Sequence, residues 1–158
     1  MIRFERTHSM DLVRKVMCHP MLYPHLIDDG CPPPEEFYPH DVPTFWYVTV
    51  YDDDELLGLW MFTPQNAVCW EVHTCLLPCS WGIRAREAAQ RMATWIWNHT
   101  QCRRIVTTVP SRNRLALRFA EDAGMRQFGV NEKSFLKDGK LQDQILLGLS
   151  PQEEVCPQ

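Results

Sequence analysis

The sequence has no long hydrophobic run. None of its stretches reaches the roughly 18 consecutive apolar residues that a membrane-spanning helix needs. Residues 1–7 also lack the basic and then apolar pattern of a secretory signal peptide. We therefore expect a soluble, cytoplasmic protein that does not enter the membrane.

Cysteines at metal-binding or redox-type spacing are absent as well. The chain contains seven cysteines, an odd number, with no Cys-x-x-Cys pair and no histidine pattern that would complete a zinc site. Reduced thiols and no bound metal are the expectation for such a chain in the cytosol.

The middle of the chain carries positive charge but no lysine. Residues 84–118 hold eight arginines and one acidic residue, whereas the flanking segments 1–83 and 119–158 are both net acidic and the whole chain has a net charge of −4. Guanidinium groups bind phosphate bidentately, so the block indicates a phosphorylated ligand or, alternatively, solvated helix faces. The acidic flanks argue against nucleic acid as a partner.

Hydrophobic periodicity predicts a single α/β (α+β) domain over residues 1–149, followed by a polar tail at 150–158. The expected order is a strand at 2–6, one or two helices up to residue 27, and a proline-rich loop without regular structure at 31–43. Three antiparallel strands then follow between residues 44 and 77. A helix beyond Gly82, a buried strand at 105–109, a second helix and the final strands complete the order.

The last third of the chain carries two finer predictions. The second helix starts at Pro110-Ser111, has Leu115, Ala116, Phe119 and Ala120 on its inner face, and ends at Gly124 as a left-handed cap. A separate short strand is expected at 125–129. A terminal hairpin with its turn at Asp138-Gly139 is expected to follow between residues 134 and 149.

The stretch from Glu71 to Ala85 ends a strand and begins a helix. Its turn contains Pro78, Ser80 and Gly82, residue types that bend the backbone and leave amide N–H groups unpaired. The helix dipole favours negative charge at the same place, so the turn is typical of an anion site.

Three places in the chain together carry a family resemblance. Gly58 lies inside the second strand of the meander, Pro78 to Ala85 follows the third strand, and the helix from Asn113 to Met125 reads Asn-Arg-Leu-Ala and ends in Gly-Met. In these places the chain resembles the GNAT superfamily, the Gcn5-related N-acetyltransferases. The resemblance implies a mixed sheet of about six or seven strands, splayed between the fourth and fifth and flanked by about four helices. It also implies acetyl-CoA as co-substrate and transfer of the acetyl group to an amine by direct attack.

The same resemblance assigns coenzyme contacts. The pyrophosphate would bind backbone amides in the loop, the pantetheine arm would pair with the backbone at the end of the third meander strand, and Asn113 would line the coenzyme side of the splay. Arg84 and Arg86 would add positive charge. The expected coenzyme residues are thus Cys75, Leu76, Leu77, Ser80, Trp81, Gly82, Ile83, Arg84, Ala85, Arg86 and Asn113.

His73 and Glu71 are the candidate general bases, because strand alternation puts both side chains on one face. The alternative is a hydrogen-bonded core histidine and a glutamate paired with an arginine. A covalent route through Cys75 or Cys79 is a further, less favoured alternative. The acidic residues Asp28, Asp29, Glu35 and Glu36 favour a cationic acceptor, although the acceptor itself stays unknown.

Two departures from the family pattern keep a non-catalytic alternative open. Cys79 and Arg84 stand where the loop motif has other residues, and Phe119-Ala120 stands where a tyrosine often supplies the acid. The alternative is a binding or assembly module that contacts a protein partner through residues 32–46. The strand end from His73 to Pro78 is similar to that of phage-encoded members, which adds a virion component to the alternatives, and a homodimer is a further expectation.

Overall fold

A computed structural model describes residues 1–152 of the chain. The strands are β1 (Ile2–Thr7), β2 (Trp46–Asp52), β3 (Glu55–Pro64), β4 (Cys69–Leu76), β5 (Arg104–Pro110), β6 (Arg126–Lys137) and β7 (Lys140–Leu149). The helices are α1 (Met10–Met17), α2 (Tyr23–Leu26), α3 (Ile83–His99) and α4 (Arg114–Asp122). Residues 153–158, most of the predicted polar tail, lie outside the described residues.

The seven strands form one mixed sheet in the order β1-β2-β3-β4-β5-β7-β6. All neighbours are antiparallel except β4 and β5, which run parallel because α3 crosses between them. The predicted fold, a sheet of about six or seven strands with a meander and about four helices, is confirmed.

The two faces of the sheet pack against different helices. The alanine-rich inner stripe of α3 and the inner side of α4 bury Trp60, Ile105 and Leu147 on one face. On the other face, Val13 and Val16 of α1 pack on a cluster contributed by β2, β3 and β4. The face that carries α1 is the one on which odd-numbered β4 residues lie, including the predicted bases.

The inner face predicted for α4 is wrong at one position. Leu115 is 84% exposed, whereas Leu117 is buried together with Ala120. Ala116 and Phe119 pack against the same core as predicted, so Leu117 takes the inward position that was expected for Leu115. The helix begins at Arg114, with the Asn113 side chain as its N-cap, and not at Pro110-Ser111. Gly124 ends the helix with φ of 97°, which confirms the predicted cap.

The final strands also differ from the prediction. The expected short strand at 125–129 and the first arm of the terminal hairpin are parts of one strand, β6, whose pairing with β7 is irregular at Phe128 and again between Asn131 and Phe135. The polar run that suggested a break is accommodated as a bulge, in which the Lys133 N–H donates to Asp143. The hairpin turn at Asp138-Gly139 is confirmed.

The proline-rich segment at 31–43 contains one short regular element that the sequence did not predict. Pro34–Glu36 forms a single 3₁₀ turn. The Arg14 guanidinium of α1 donates to the carbonyls of Pro34 and Phe37, at 3.0 and 2.8 Å, which fastens the segment to the helix.

No helix among residues 1–152 is both long and apolar enough to cross a bilayer. The longest helix, α3, carries several charged side chains along its outer face.

Candidate active site

The parallel strands β4 and β5 separate soon after they meet. They pair at only three positions, ending at Glu71 opposite Val106, although β4 continues to Leu76 and β5 to Pro110. The Thr107 hydroxyl donates to the Val72 carbonyl at 3.0 Å and makes the last link between the strands. Beyond it lies a V-shaped gap, which is the splay that the sequence predicts.

The backbone groups that face this gap are fixed by strand alternation. The Leu77 N–H donates to the Leu57 carbonyl at 2.8 Å and the Gln65 N–H donates to the Cys69 carbonyl at 2.9 Å, so odd-numbered residues of β4 bond to β3. Even-numbered residues, Thr74 and Leu76, therefore present their N–H and C=O groups to the gap.

The backbones of the three residues expected to hold the pantetheine arm point in different directions. Of Cys75, Leu76 and Leu77, only Leu76 directs its backbone into the gap, because Cys75 pairs with β3, and the Leu77 N–H donates to Leu57 while its carbonyl accepts from Ser80. The Thr74 backbone also faces the gap, which the sequence reasoning did not predict. Because backbone groups alternate along a strand, Thr74 could have been predicted from the sequence once the direction of the Leu76 backbone was assumed.

Gly58 allows β3 to approach β4 closely beside the gap. It has φ of 137°, and a Cβ atom built there would lie 2.3 Å from the Cys75 carbonyl oxygen and 2.7 Å from the Leu76 Cα. The pairing register between β2 and β3 shifts at the same level. A close approach to β4 and a bulge against β2 are thus both present at this glycine.

The loop after β4 leaves four amides unpaired. Pro78–Ser80 forms a 3₁₀ turn in which the Ser80 N–H and hydroxyl both bond to the Leu77 carbonyl, and the Trp81 N–H donates to Pro78. Helix α3 makes its first backbone bond from Arg86 to Gly82. Among residues 1–152, the amides of Gly82, Ile83, Arg84 and Ala85 consequently have no hydrogen-bond acceptor. These four amides are therefore the backbone donors of the loop that can bind an anion.

The two arginine side chains that were expected to add charge at this loop are both paired with acids. The Arg84 guanidinium contacts Glu55 at 2.5 Å and Asp52 at 3.3 Å, and its hydrogen bond to Glu55 raises the pKa of Arg84 above its ordinary value. The Arg86 guanidinium lies 3.3 Å from Asp122. Arg84 thus fastens the loop to the turn between β2 and β3, and the anion-binding groups that remain are backbone amides.

The Trp81 side chain already donates a hydrogen bond to one of the acceptors that face the gap. The indole N–H donates to the Leu76 carbonyl at 2.9 Å, while the residue remains 53% exposed. The Leu76 carbonyl faces the gap, so the indole occupies the position at which another donor would bind.

His73 and Glu71 lie together at the closed end of the gap, where β4 and β5 stop pairing. The His73 Nε2 is 3.5 Å from the Glu71 Oε1, with side chains 41% and 24% exposed, and the Thr108 hydroxyl donates to the same Glu71 oxygen at 3.4 Å. Burial lowers the pKa of His73, and the Glu71 carboxylate partly opposes that shift. His73 is therefore neutral at pH 7 and can accept a proton, with Glu71 placed to stabilise the imidazolium. No arginine contacts Glu71 among the described residues.

The Asn113 side chain caps helix α4. The Asn113 side-chain oxygen accepts the Ala116 N–H at 3.2 Å, which leaves its NH₂ group as the part that can face a ligand.

Complete burial raises the pKa of Cys75 to about 12, so this thiol is not a nucleophile at neutral pH. The six cysteines among residues 1–152 are all free, and no three metal-ligating side chains of that part of the chain cluster together.

Comparison with known proteins identifies the family. Residues 35–126 match the model of the acetyltransferase (GNAT) domain, and the chain belongs to this family. No curated protein sequence matches the chain.

Solved structures share the fold at low sequence identity. A chimeric spermidine N-acetyltransferase from Vibrio cholerae has a TM-score of 0.76 at 17% identity, over 94% of this chain and 95% of that one. The ribosomal-protein-S5-alanine acetyltransferase from Vibrio fischeri has a TM-score of 0.71 at 16% identity, over 99% and 96%. The protein yncA from Salmonella typhimurium, in a structure with its cofactor acetyl-CoA, has a TM-score of 0.67 at 12% identity, over 99% and 98%.

Proposed function

We propose that the protein transfers an acetyl group from acetyl-CoA to an amine. The observation that carries the proposal is the continuity of the gap and the loop. The gap-facing backbone groups of Thr74 and Leu76 lead into the four free amides from Gly82 to Ala85, and this line of donors and acceptors suits an extended amide-containing chain that ends in a pyrophosphate.

The residues fit the coenzyme, with one adjustment. Thr74 and Leu76 would hold the pantetheine amides, the amides of Gly82 to Ala85 would hold the pyrophosphate, and the Asn113 NH₂ group would face the coenzyme side of the gap. The Trp81 indole N–H competes with the coenzyme for the Leu76 carbonyl. When bound, acetyl-CoA supplies an activated acetyl thioester.

The chain's own groups then provide the proton transfers. His73 takes the proton from the acceptor amine, and the Glu71 carboxylate stabilises the resulting imidazolium. Thr108 holds Glu71 in place through its hydroxyl. Helix α4 carries Phe119 and Ala120 at the level where the family often has a tyrosine, so we propose water as the proton donor to the departing thiolate.

An acetyl-transfer assay with two readouts tests the function. Acetyl-CoA and a panel of amines are incubated with the protein, thiol release is followed by absorbance, and the acetylated amine is identified by mass spectrometry. We expect thiol and N-acetylated product in equal amounts for at least one amine. Coenzyme binding without product from any amine would instead support the non-catalytic binding module.

Replacement of Trp81 tests the coenzyme's position in the gap. We expect Trp81→Phe to bind acetyl-CoA about two- to tenfold more tightly, because the net strength of one hydrogen bond no longer has to be overcome. Calorimetry on the variant and the wild type measures the difference. Trp97→Phe, in a residue on α3 away from the loop, is the control and should leave the affinity unchanged. Weaker binding by Trp81→Phe would mean that the indole itself holds the coenzyme and that the proposed exchange is wrong.

Other expectations from the sequence stay predictions. They are the phage or virion origin, the contact surface at residues 32–46, the homodimer and the cytoplasmic location.

A further inference from the structure

We infer that the acceptor is a small amine that also carries an anionic group, bound in a groove on the β5-β7-β6 part of the sheet with its anionic end at Arg104. This inference rests on the proposed function, because it names the substrate class for the same catalytic site.

The groove lies on the sheet face that carries His73 and Glu71. It encloses about 390 Å³, within the range of small-molecule sites, and its lining includes Val106, Leu146 and Phe128 as apolar groups and Arg104 as the charged one. Phe128 is the residue skipped in the register between β6 and β7, and this bulge re-aims its ring into the groove.

Arg104 is held in a built cradle at one end of the groove. Its guanidinium lies over Gly148, where a Cβ atom would come within 2.3 Å of the terminal nitrogen, so a side chain at position 148 would displace the end of Arg104. The Phe128 ring is 5.2 Å from the guanidinium carbon, and the Ser150 hydroxyl is 3.3 Å from the other terminal nitrogen. Among residues 1–152, no carboxylate lies within ion-pair distance of Arg104.

The opposite end of the groove meets the candidate bases. Thr108 lines the groove and donates its hydroxyl to the Glu71 carboxylate, which in turn lies beside His73. Gly148, under the guanidinium, pairs with Val106, so the Arg104 charge and the Thr108 side chain are two residues apart along β5, roughly 7 Å at the rise of a strand. This separation suits one small molecule that carries an amine at His73 and an anionic group at Arg104, with a few bonds between them.

Two of the four acidic residues that favoured a cationic acceptor in the sequence, Asp28 and Asp29, bind backbone amides elsewhere. Both Asp29 carboxylate oxygens accept amides from the turn between β6 and β7, and those hydrogen bonds lower the pKa of Asp29. The Asp28 carboxylate accepts the Gly30 amide. The charge that remains available in the groove is the Arg104 guanidinium.

Three four-carbon amines and one phosphate ester test the inference. 4-Aminobutyrate, n-butylamine and 1,4-diaminobutane differ only in the group at the far end, and O-phosphoethanolamine, with two carbons and an ester oxygen, places a phosphate at the same number of bonds from the amine. Two readouts are used: the thermal shift of the protein without coenzyme, and the KM for acetyl transfer. We expect the two anionic amines to bind at least tenfold more tightly than the other two, and their order shows whether a carboxylate or a phosphate is preferred.

Three variants test whether the preference for anionic amines depends on the groove. Arg104→Gln should raise the KM for 4-aminobutyrate about 10- to 100-fold and leave that for n-butylamine unchanged, the usual loss for a hydrogen bond to a charged group. Gly148→Ala keeps the positive charge but displaces the guanidinium, so it should weaken the preference too. Arg118→Gln, on the exposed side of α4, should change neither the KM for 4-aminobutyrate nor that for n-butylamine.

The outcomes separate this inference from the proposed function. Equal binding of all four amines, or tighter binding of 1,4-diaminobutane, overturns the inference while acetyl transfer still supports the function. An Arg104-dependent thermal shift with 4-aminobutyrate, without acetyl transfer to any amine, supports the groove and contradicts the function. If no amine binds and none is acetylated, both are wrong.

Discussion

The variant His73→Ala is expected to lower kcat/KM for amine acetylation about 100-fold, which is the usual size of a general-base effect. The imidazole is partly buried near the closed end of the gap, and burial lowers the pKa of His73 so that it is neutral and basic at pH 7. Steady-state kinetics with the best amine measures the loss. The control is His8→Ala, an exposed histidine in the loop between β1 and α1, which should keep the wild-type rate.

The pH dependence of kcat/KM identifies which of the two side chains is the base. Since the pKa of His73 is lowered, the rate constant should hold at neutral pH and fall only when the pH drops below that lowered value, where the imidazole becomes protonated. The Glu71 carboxylate opposes the lowering, so Glu71→Gln should move this acidic limb to lower pH. Loss of activity in Glu71→Gln comparable to that expected for His73→Ala, with little effect of His73→Ala itself, would make Glu71 the base.

Substitution of Gly58 should give the largest loss of stability. In Gly58→Ala the new methyl group would overlap backbone atoms of Cys75 and Leu76, at a φ of 137° that L-residues rarely adopt. We expect a destabilisation of about 3 kcal/mol, which corresponds to roughly 6–12 °C in Tm for a domain of this size. Because β4 would be displaced where Leu76 faces the gap, acetyl-CoA affinity should fall as well.

Gly139→Ala separates the contact from the backbone strain. Gly139 also has a positive φ, 72°, but a Cβ atom there meets nothing within 4 Å. The variant should therefore cost only about 1 kcal/mol, the usual penalty for a side chain in this conformation. Chemical denaturation of both variants measures the difference. Equal losses would show that the approach of β3 to β4 is not what requires glycine at position 58.

The fold was predictable from the sequence because its periodic elements are strongly patterned. The alternation in the meander and the 3.6-residue period after Gly82 set the order of elements, and the residues from Asn113 to Gly124 specify a capped helix. Leu115 shows where that reasoning ends. Residues 115, 116, 119 and 120 fit one helical stripe well, but the neighbouring stripe with Leu117 and Ala120 fits too, and packing against the sheet decides that Leu117 is buried and Leu115 exposed.

The site was only partly predictable, because its side chains choose partners that are distant along the chain. Alternation places His73 and Glu71 on one face, as the structure also does. It could not indicate that Arg84 pairs with Glu55, or that the Trp81 indole covers the Leu76 carbonyl. The Arg104 cradle was equally hidden, since the block of arginines suggested phosphate binding and gave no reason to single out Arg104.

Titration of the protein with acetyl-CoA by calorimetry tests the central claim most directly. The gap between β4 and β5, together with the four free amides that follow it, predicts one site with a dissociation constant in the micromolar range and a rise in Tm on binding. Absence of both heat and thermal shift with acetyl-CoA at millimolar concentration would contradict the account.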